Sequence, residues 1–242
     1  MICEGKLYDE LNETVSLIES CNSKEKIIED QTIILVRNKI IIWMWKIMLK
    51  IGVSKRTIFE TIDLFDSVLE NFNLEVENLS KELQIISFVS MVISSKIQET
   101  NHISFDLIMC LSKNTIKKEE FLRMEKIIML STPIKIDFFE EFVYLVVKIL
   151  HTLTTNKETY ENTFRIIKSC NLIRFHAVKY YSFLRKRRRL YLYFSIIYLS
   201  LNNYSKSINE GLIRDIFSLS KLLNLKKKSL LKSIDELENM IT

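Results

Sequence analysis

Apolar residues recur along this chain at the spacing of amphipathic helices. Leu7, Leu11, Val15 and Ile18 share one face of a helix over residues 7–20. A polar stretch, Asn22–Asp30, separates it from a strongly apolar helix running from about Thr32 to Ile51. Gly52 follows, the residue type best suited to a helix C-cap. Ser54 is placed to cap the next helix, where Ile58, Ile62, Phe65 and Leu69 recur at helical spacing. The segment Leu79–Lys96 differs in kind, because Ile85, Ile86, Phe88, Val89, Met91, Val92 and Ile93 leave little room for a polar face. A helix apolar on nearly all sides is buried on nearly all sides, so this one is expected at the centre, with others around it. Helices at about Ser104–Leu111 and Thr115–Leu130 follow, the latter ended by Pro133.

The second half repeats the plan. Asp137 is placed to cap an apolar helix through about Leu150, and a long helix at about Glu158–Lys186 comes next. The apolar Leu190–Leu201 takes the central-helix position, and amphipathic helices at Glu210–Leu223 and Lys226–Ile241 complete the pattern. Corresponding helices of the halves lie roughly 105 residues apart, the offset of an internal duplication. The expected fold is all-α: a short N-terminal helix and linker (residues 1–30), then two tandem five-helix repeats at 31–136 and 137–242. The join between the repeats is Ser131–Ile136.

Composition supports helices. Three glycines and one proline in 242 residues are too few for the tight turns of a sheet protein this size. A hydrophobic content of 48% is enough for a packed core. The net charge of +5 is modest, and abundant lysine, isoleucine and asparagine suggest AT-rich coding rather than selection for charge, so nucleic acid is not an expected partner. Cys3, Cys21, Cys110 and Cys170 are scattered, as are His102, His151 and His176, which gives a metal site no support and suits free thiols in a reducing compartment. The N-terminus carries Glu4, Asp9 and Glu10 with no apolar signal core, and the longest apolar runs fall short of the roughly 20 residues a spanning helix needs. A soluble intracellular protein with no membrane association is expected.

The sequence carries no phosphate-binding glycine loop, H-E-x-x-H motif or nucleophile elbow. Asp63 with Asp66, or Glu119 with Glu120, are the carboxylate pairs available for acid–base work, but such pairs are common on helix surfaces. No catalytic residue, cofactor or small-molecule substrate is assigned, and the chain is not expected to be an enzyme. The run Arg185–Arg189 fits a nuclear import signal or a phosphate-contacting patch, but a solvated turn between apolar helices accounts for it better.

Several segments carry a family resemblance in shared order. Val36–Trp43, with Arg37 ahead of apolar Ile40–Ile42 and Trp43, resembles the opening of a cyclin box. Ser94-Ser95-Lys96-Ile97-Gln98-Glu99 resembles the segment that ends the third cyclin-box helix, and Leu122-Arg123-Met124-Glu125 matches the LRME of the fifth. Phe183-Leu184-Arg185 followed by Leu190–Leu201 is similar to the C-terminal cyclin box. The resemblance spans roughly residues 7–240 and implies cyclin-type repeats.

It also implies a function: an activating subunit of a cyclin-dependent protein kinase that controls the cell cycle, in the nucleus, the cytoplasm or both. Lys96 and Glu125 correspond to the pair that bonds backbone groups beside the kinase's regulatory C-helix. Ile97, Glu99, Met129, Ile134 and Ile136 complete the implied kinase-binding set. Ile97 stands in place of the usual aromatic, and Gln98 in place of the first glutamate. Val36, Ile40 and Trp43 correspond to a cleft for R-x-L motifs of kinase substrates or inhibitors. Lys39 and Lys46 occupy a usually apolar and a usually acidic position there, and Ile42 replaces a common aspartate, so that docking is expected to be altered or lost. The chain opens almost directly on its first helix, so an N-terminal destruction box is not expected. The alternatives are a transcriptional cyclin or a transcription factor IIB-like factor. The latter would carry a zinc ribbon and strongly basic repeats.

Overall fold

The computed structural model describes residues 2–20, 30–72, 79–132, 134, 136–154, 163–180, 189–204 and 210–241. The fold is all-α, with eleven helices and no strand among these residues. In chain order they are α1 (Ile2–Ser20), α2 (Gln31–Ile51), α3 (Lys55–Asn71), α4 (Leu79–Gln98), α5 (Phe105–Leu111) and α6 (Lys118–Ser131). Then come α7 (Phe139–Thr154), α8 (Thr163–Val178), α9 (Arg189–Tyr204), α10 (Glu210–Leu222) and α11 (Lys227–Ile241). None is long and apolar enough to cross a membrane. The chain divides into two compact units, Lys24–Asp137, and Met1–Ser23 together with Phe138–Thr242.

In the unit Lys24–Asp137, local chemistry fixes the helix ends. Asp30 caps α2 by accepting from the N–H groups of Thr32 (2.7 Å) and Ile33 (3.3 Å). Gly52 ends α2 at φ 87°, where its N–H reaches the carbonyls of Met48 and Leu49. The Ser54 hydroxyl accepts from Thr57 N–H at 3.2 Å and opens α3, as its position suggested. α6 begins three residues later than its apolar pattern implies. Lys113 and Asn114 adopt left-handed conformations (φ 52° and 58°), and Ile116 is buried in the stretch after that turn and ahead of the helix. Pro133, expected to end α6, lies outside the described residues; the helix stops at Ser131.

The central position of α4 follows from its composition. Leu83 and every residue from Ile85 to Ser95 are buried, and α2, α3 and α6 all pack against it. The buried Ser95 is satisfied locally: its Oγ donates to the Val92 carbonyl (2.9 Å) and accepts from Ile103 N–H (3.0 Å). Edge-on aromatic pairs lock the neighbours, Trp43 with Phe88 at 5.2 Å and Trp45 with Phe59 at 5.3 Å. One buried ion pair crosses from α2 to α3. Arg37 Nε and Nη2 donate to Asp66 Oδ1 (2.8 Å) and Oδ2 (2.6 Å), and both side chains are excluded from water. Asp66 is therefore committed to Arg37 and forms no surface acid–base pair with Asp63.

In the other unit, α9 is the helix against which α1, α7, α8, α10 and α11 pack. Its Tyr193, Phe194, Ile196 and Ile197 are buried with Phe139 and Phe142 of α7. Leu7, Leu11 and Ile18 of α1 enter the same core. α7 begins at Phe139, two residues after Asp137. α8 ends at Val178 rather than continuing toward Lys186, because residues 179 and 180 leave the helix. There Tyr180 N–H bonds back to Ala177 and its hydroxyl donates to the Met240 carbonyl of α11 at 2.9 Å. Residues 158–162 and 181–188, including Arg185–Arg188, lie outside the described residues.

Candidate functional site

The C-terminal turn of α4 and the middle of α6 bring opposite charges together. Lys96 stands in the last turn of α4, where a cation is favoured by the helix's exposed carbonyls. Its Nζ lies 2.6 Å from Glu125 Oε1. The Glu125 side chain is 13% exposed and that of Lys96 47%. The carboxylate is thus mostly withdrawn from water, while the lysine stays about half exposed and its ammonium has donors beyond the one that Glu125 uses.

Exposed apolar residues share these elements. Ile97 follows Lys96, and Met129 lies one turn beyond Glu125 on α6. Ile134 and Ile136, in the segment after α6, are also exposed. Leu122 and Leu130, which the sequence reading left unassigned, are exposed on α6 as well. Leu122 stands three residues before Glu125, the helical spacing that could have found it; Leu130 has no such relation to the charge pair. Several large apolar side chains in water around one charge pair are the composition of an interaction surface.

Behind that surface, one carboxylate joins three elements. Glu60 of α3 is buried, and its Oε1 accepts from Gln98 Nε2 of α4 at 2.8 Å and from the Asp137 backbone N–H at 2.9 Å. Arg56 Nε approaches the same oxygen at 3.4 Å. Burial drives the Glu60 carboxyl above its ordinary value of 4.5; the Asp137 N–H opposes this, the Asp137 charge adds to it, and Arg56 opposes it. Glu99 has the opposite balance. Burial pushes its carboxyl up, but bonds from the Thr57 hydroxyl, the Ser54 N–H (2.7 Å) and the Ser54 hydroxyl together hold it below 4.5. The structure thus turns Glu99 toward the N-terminus of α3.

On another side of the same unit, Val36, Ile40 and Trp43 of α2 line a groove of about 530 Å³. Leu83, Gln84 and Ser87 of α4 also line it, and Lys113 is the charged residue of that lining. Lys39 and Lys46 are exposed on α2. Among the described residues, no group of His, Cys, Asp or Glu side chains could hold a metal ion. Cys110 is exposed and Cys170 buried, and both are free thiols; burial pushes the Cys170 thiol up to about 12.

Residues 9–137, more than half of the chain, match the family model of the cyclin N-terminal domain. The chain belongs to the cyclin family. This cyclin is also similar to the putative cyclin-B3-1 of Arabidopsis thaliana, at 22% identity over 184 residues. That match covers 74% of this cyclin and 45% of the relative, so the cyclin spans less than half of the curated relative it matches. Cyclins are in general regulatory subunits of cyclin-dependent kinases. The matched region contains Lys96, Glu125 and the exposed apolar residues described above.

Proposed function

We propose that this cyclin binds a cyclin-dependent kinase through the surface on α4, α6 and the segment that follows, and switches the kinase on. The Lys96–Glu125 pair carries the reading. A lysine and glutamate 2.6 Å apart restrain each other's rotamers, so little side-chain entropy is left to lose when both are engaged by a partner. In the complex, the ammonium would donate to a kinase backbone carbonyl and the carboxylate would accept a kinase N–H, beside the regulatory C-helix. Ile97, Met129, Ile134 and Ile136 would supply the apolar contact. Glu99 would act from behind, by holding the start of α3. We read the two compact units as the duplicated boxes of a cyclin, with the kinase gripped chiefly by Lys24–Asp137.

Activation follows from differential binding. The cyclin contacts the kinase with its C-helix turned inward, so that the kinase's glutamate meets its ATP-binding lysine. Converting a population from mostly inactive to mostly active takes about 5 kcal/mol of preference for the active arrangement. Apolar burial combined with a desolvated charge pair supplies interactions of that size. The experiment is to mix the purified cyclin with candidate cyclin-dependent kinases and follow co-elution and phosphorylation of a histone-type substrate. Co-elution with a rise in phosphorylation supports the proposal; neither with any such kinase rejects it.

A further inference from the structure

Glu60 raises a question that the packing of α3 on α4 does not answer. It is 5% exposed, in a helix that buries nearly every residue from Thr57 to Glu70, next to Ile58, Phe59 and Ile62. A carboxylate in such a place loses hydration that an apolar side chain never had, so it lowers stability unless its bonds compensate. Those bonds are specific. They bring the side-chain amide of Gln98 and the backbone of Asp137 to one oxygen atom.

The neighbours of these two donors give the arrangement its meaning. Gln98 directly follows Lys96 and Ile97 at the end of α4. Asp137 directly follows Ile136, with Ile134 shortly before. Thr132 N–H still bonds to Ile128 at the end of α6, but from Thr132 to Asp137 the described chain belongs to no helix. Described residues outside a helix need another anchor to hold one conformation, and for Asp137 the bond from its N–H to Glu60 is such an anchor.

We propose that Glu60 is a positioning residue: it is the acceptor that fixes the segment carrying Ile134 and Ile136 against the end of α4 carrying Lys96 and Ile97, so that the kinase-docking surface exists before the kinase arrives. This inference rests on the kinase-binding reading above. A surface already ordered loses less conformational entropy on binding, which strengthens affinity without any contact from Glu60 itself. The anchoring property is the acceptor oxygen rather than the charge. The ionisable groups facing Glu60 are Arg56 on its own helix and Asp137 on the segment, and α4 presents the neutral Gln98. Their charges oppose each other, and a carboxyl oxygen accepts the Asp137 N–H in either protonation state.

The test compares the full chain with Glu60→Gln, which keeps an acceptor oxygen, and Glu60→Met, which fills the space without one. Two quantities are read: hydrogen exchange of the Asp137 amide, and affinity for the kinase that the wild-type chain binds. Glu60→Met is expected to speed exchange at Asp137 and weaken kinase binding, each by about tenfold, with amides of α4 unchanged. Glu60→Gln is expected to stay within about twofold of wild type in both. Wild-type behaviour of Glu60→Met overturns the proposal, and so does a Glu60→Gln variant as impaired as Glu60→Met. Should Glu60→Met fail to fold, Gln98→Ala cuts the α4 arm at a half-buried position and is expected to weaken binding about threefold; unchanged affinity there overturns the proposal. If the wild-type chain binds no kinase, the functional reading falls, while Asp137 exchange still decides whether Glu60 is the anchor.

Discussion

Lys96 on α4 places its ammonium 2.6 Å from the Glu125 carboxylate on α6, with the lysine about half in solvent and the glutamate mostly withdrawn from it. For folding, such a partly exposed pair contributes little, on the order of 0–1 kcal/mol, because water screens it and both side chains lose freedom. Its value lies in what it presents. Lys96→Ala and Glu125→Ala should therefore each lower unfolding free energy by no more than about 1 kcal/mol. Urea denaturation at neutral pH checks this, and a loss several times larger would make the pair a structural element.

The Arg37–Asp66 pair should behave in the opposite way. It is two-pronged and fully buried, so removing one partner leaves a charge in the core without its counter-ion. Asp66→Ala is expected to cost about 3–5 kcal/mol of stability. A double replacement of Arg37 and Asp66 by apolar residues of similar volume should recover most of that, since desolvation cancels much of the pair's attraction. The same denaturation experiment measures both.

Much of this architecture was legible because it rests on local rules. The apolar run Ile85–Ile93 has too little polar face to sit anywhere but the centre, and α4 is buried there residue by residue. Gly52, which can turn left-handed because it has no side chain, and Ser54, through its hydroxyl, mark helix ends by local chemistry, and both do so in the structure. What stayed hidden depends on atoms far apart in sequence. The apolar stripe of α3 gives no hint that Glu60 and Asp66 are buried as well, since it shows one face of a helix that is covered on several. The partner of Glu60 is a backbone N–H at residue 137, which no side-chain pattern reveals. The apolar Ile116 fits a helical pattern, yet it reaches the core from the stretch between a left-handed turn at Lys113 and Asn114 and the start of α6. The facing of Glu99 toward Ser54 and Thr57 was equally invisible. In the candidate site, family motifs singled out Lys96 and Glu125, and the structure supplied their contact, their unequal exposure and the exposed Leu122 and Leu130.

Two carboxyls should give opposite pH signatures. Glu99 has a folded pKa below 4.5, so its stabilising contribution is complete above 4.5 and is lost as pH falls through the folded value. Glu60 has a folded pKa above 4.5, so the folded chain holds its proton more tightly than the unfolded chain. Its contribution therefore weakens as pH rises from 4.5 through that raised value. Stability of wild type minus Glu99→Gln should shrink on acidification below 4.5. Wild type minus Glu60→Gln should fall as pH increases just above 4.5. Denaturation curves across pH 3–7 check both signs.

The groove beside Trp43 should discriminate against basic ligands. Lys113 lines it, and Lys39 and Lys46 are exposed on the helix that supplies Val36, Ile40 and Trp43. An R-x-L peptide meets like charge there, so fluorescence anisotropy should detect only weak binding. Lys113→Glu is expected to raise its affinity by about tenfold at low salt, with the gain fading as salt increases. An unaltered peptide that binds tightly to the wild-type chain would contradict this.

The most direct measurement is kinase binding and activation by wild type, Lys96→Ala and Glu125→Ala, each first shown to be folded. Wild type should co-elute with a cyclin-dependent kinase and raise its activity, and each variant should lose about 2–5 kcal/mol of binding free energy. Variants that bind and activate the kinase as wild type does would contradict the assignment of the α4–α6 charge pair as its docking site.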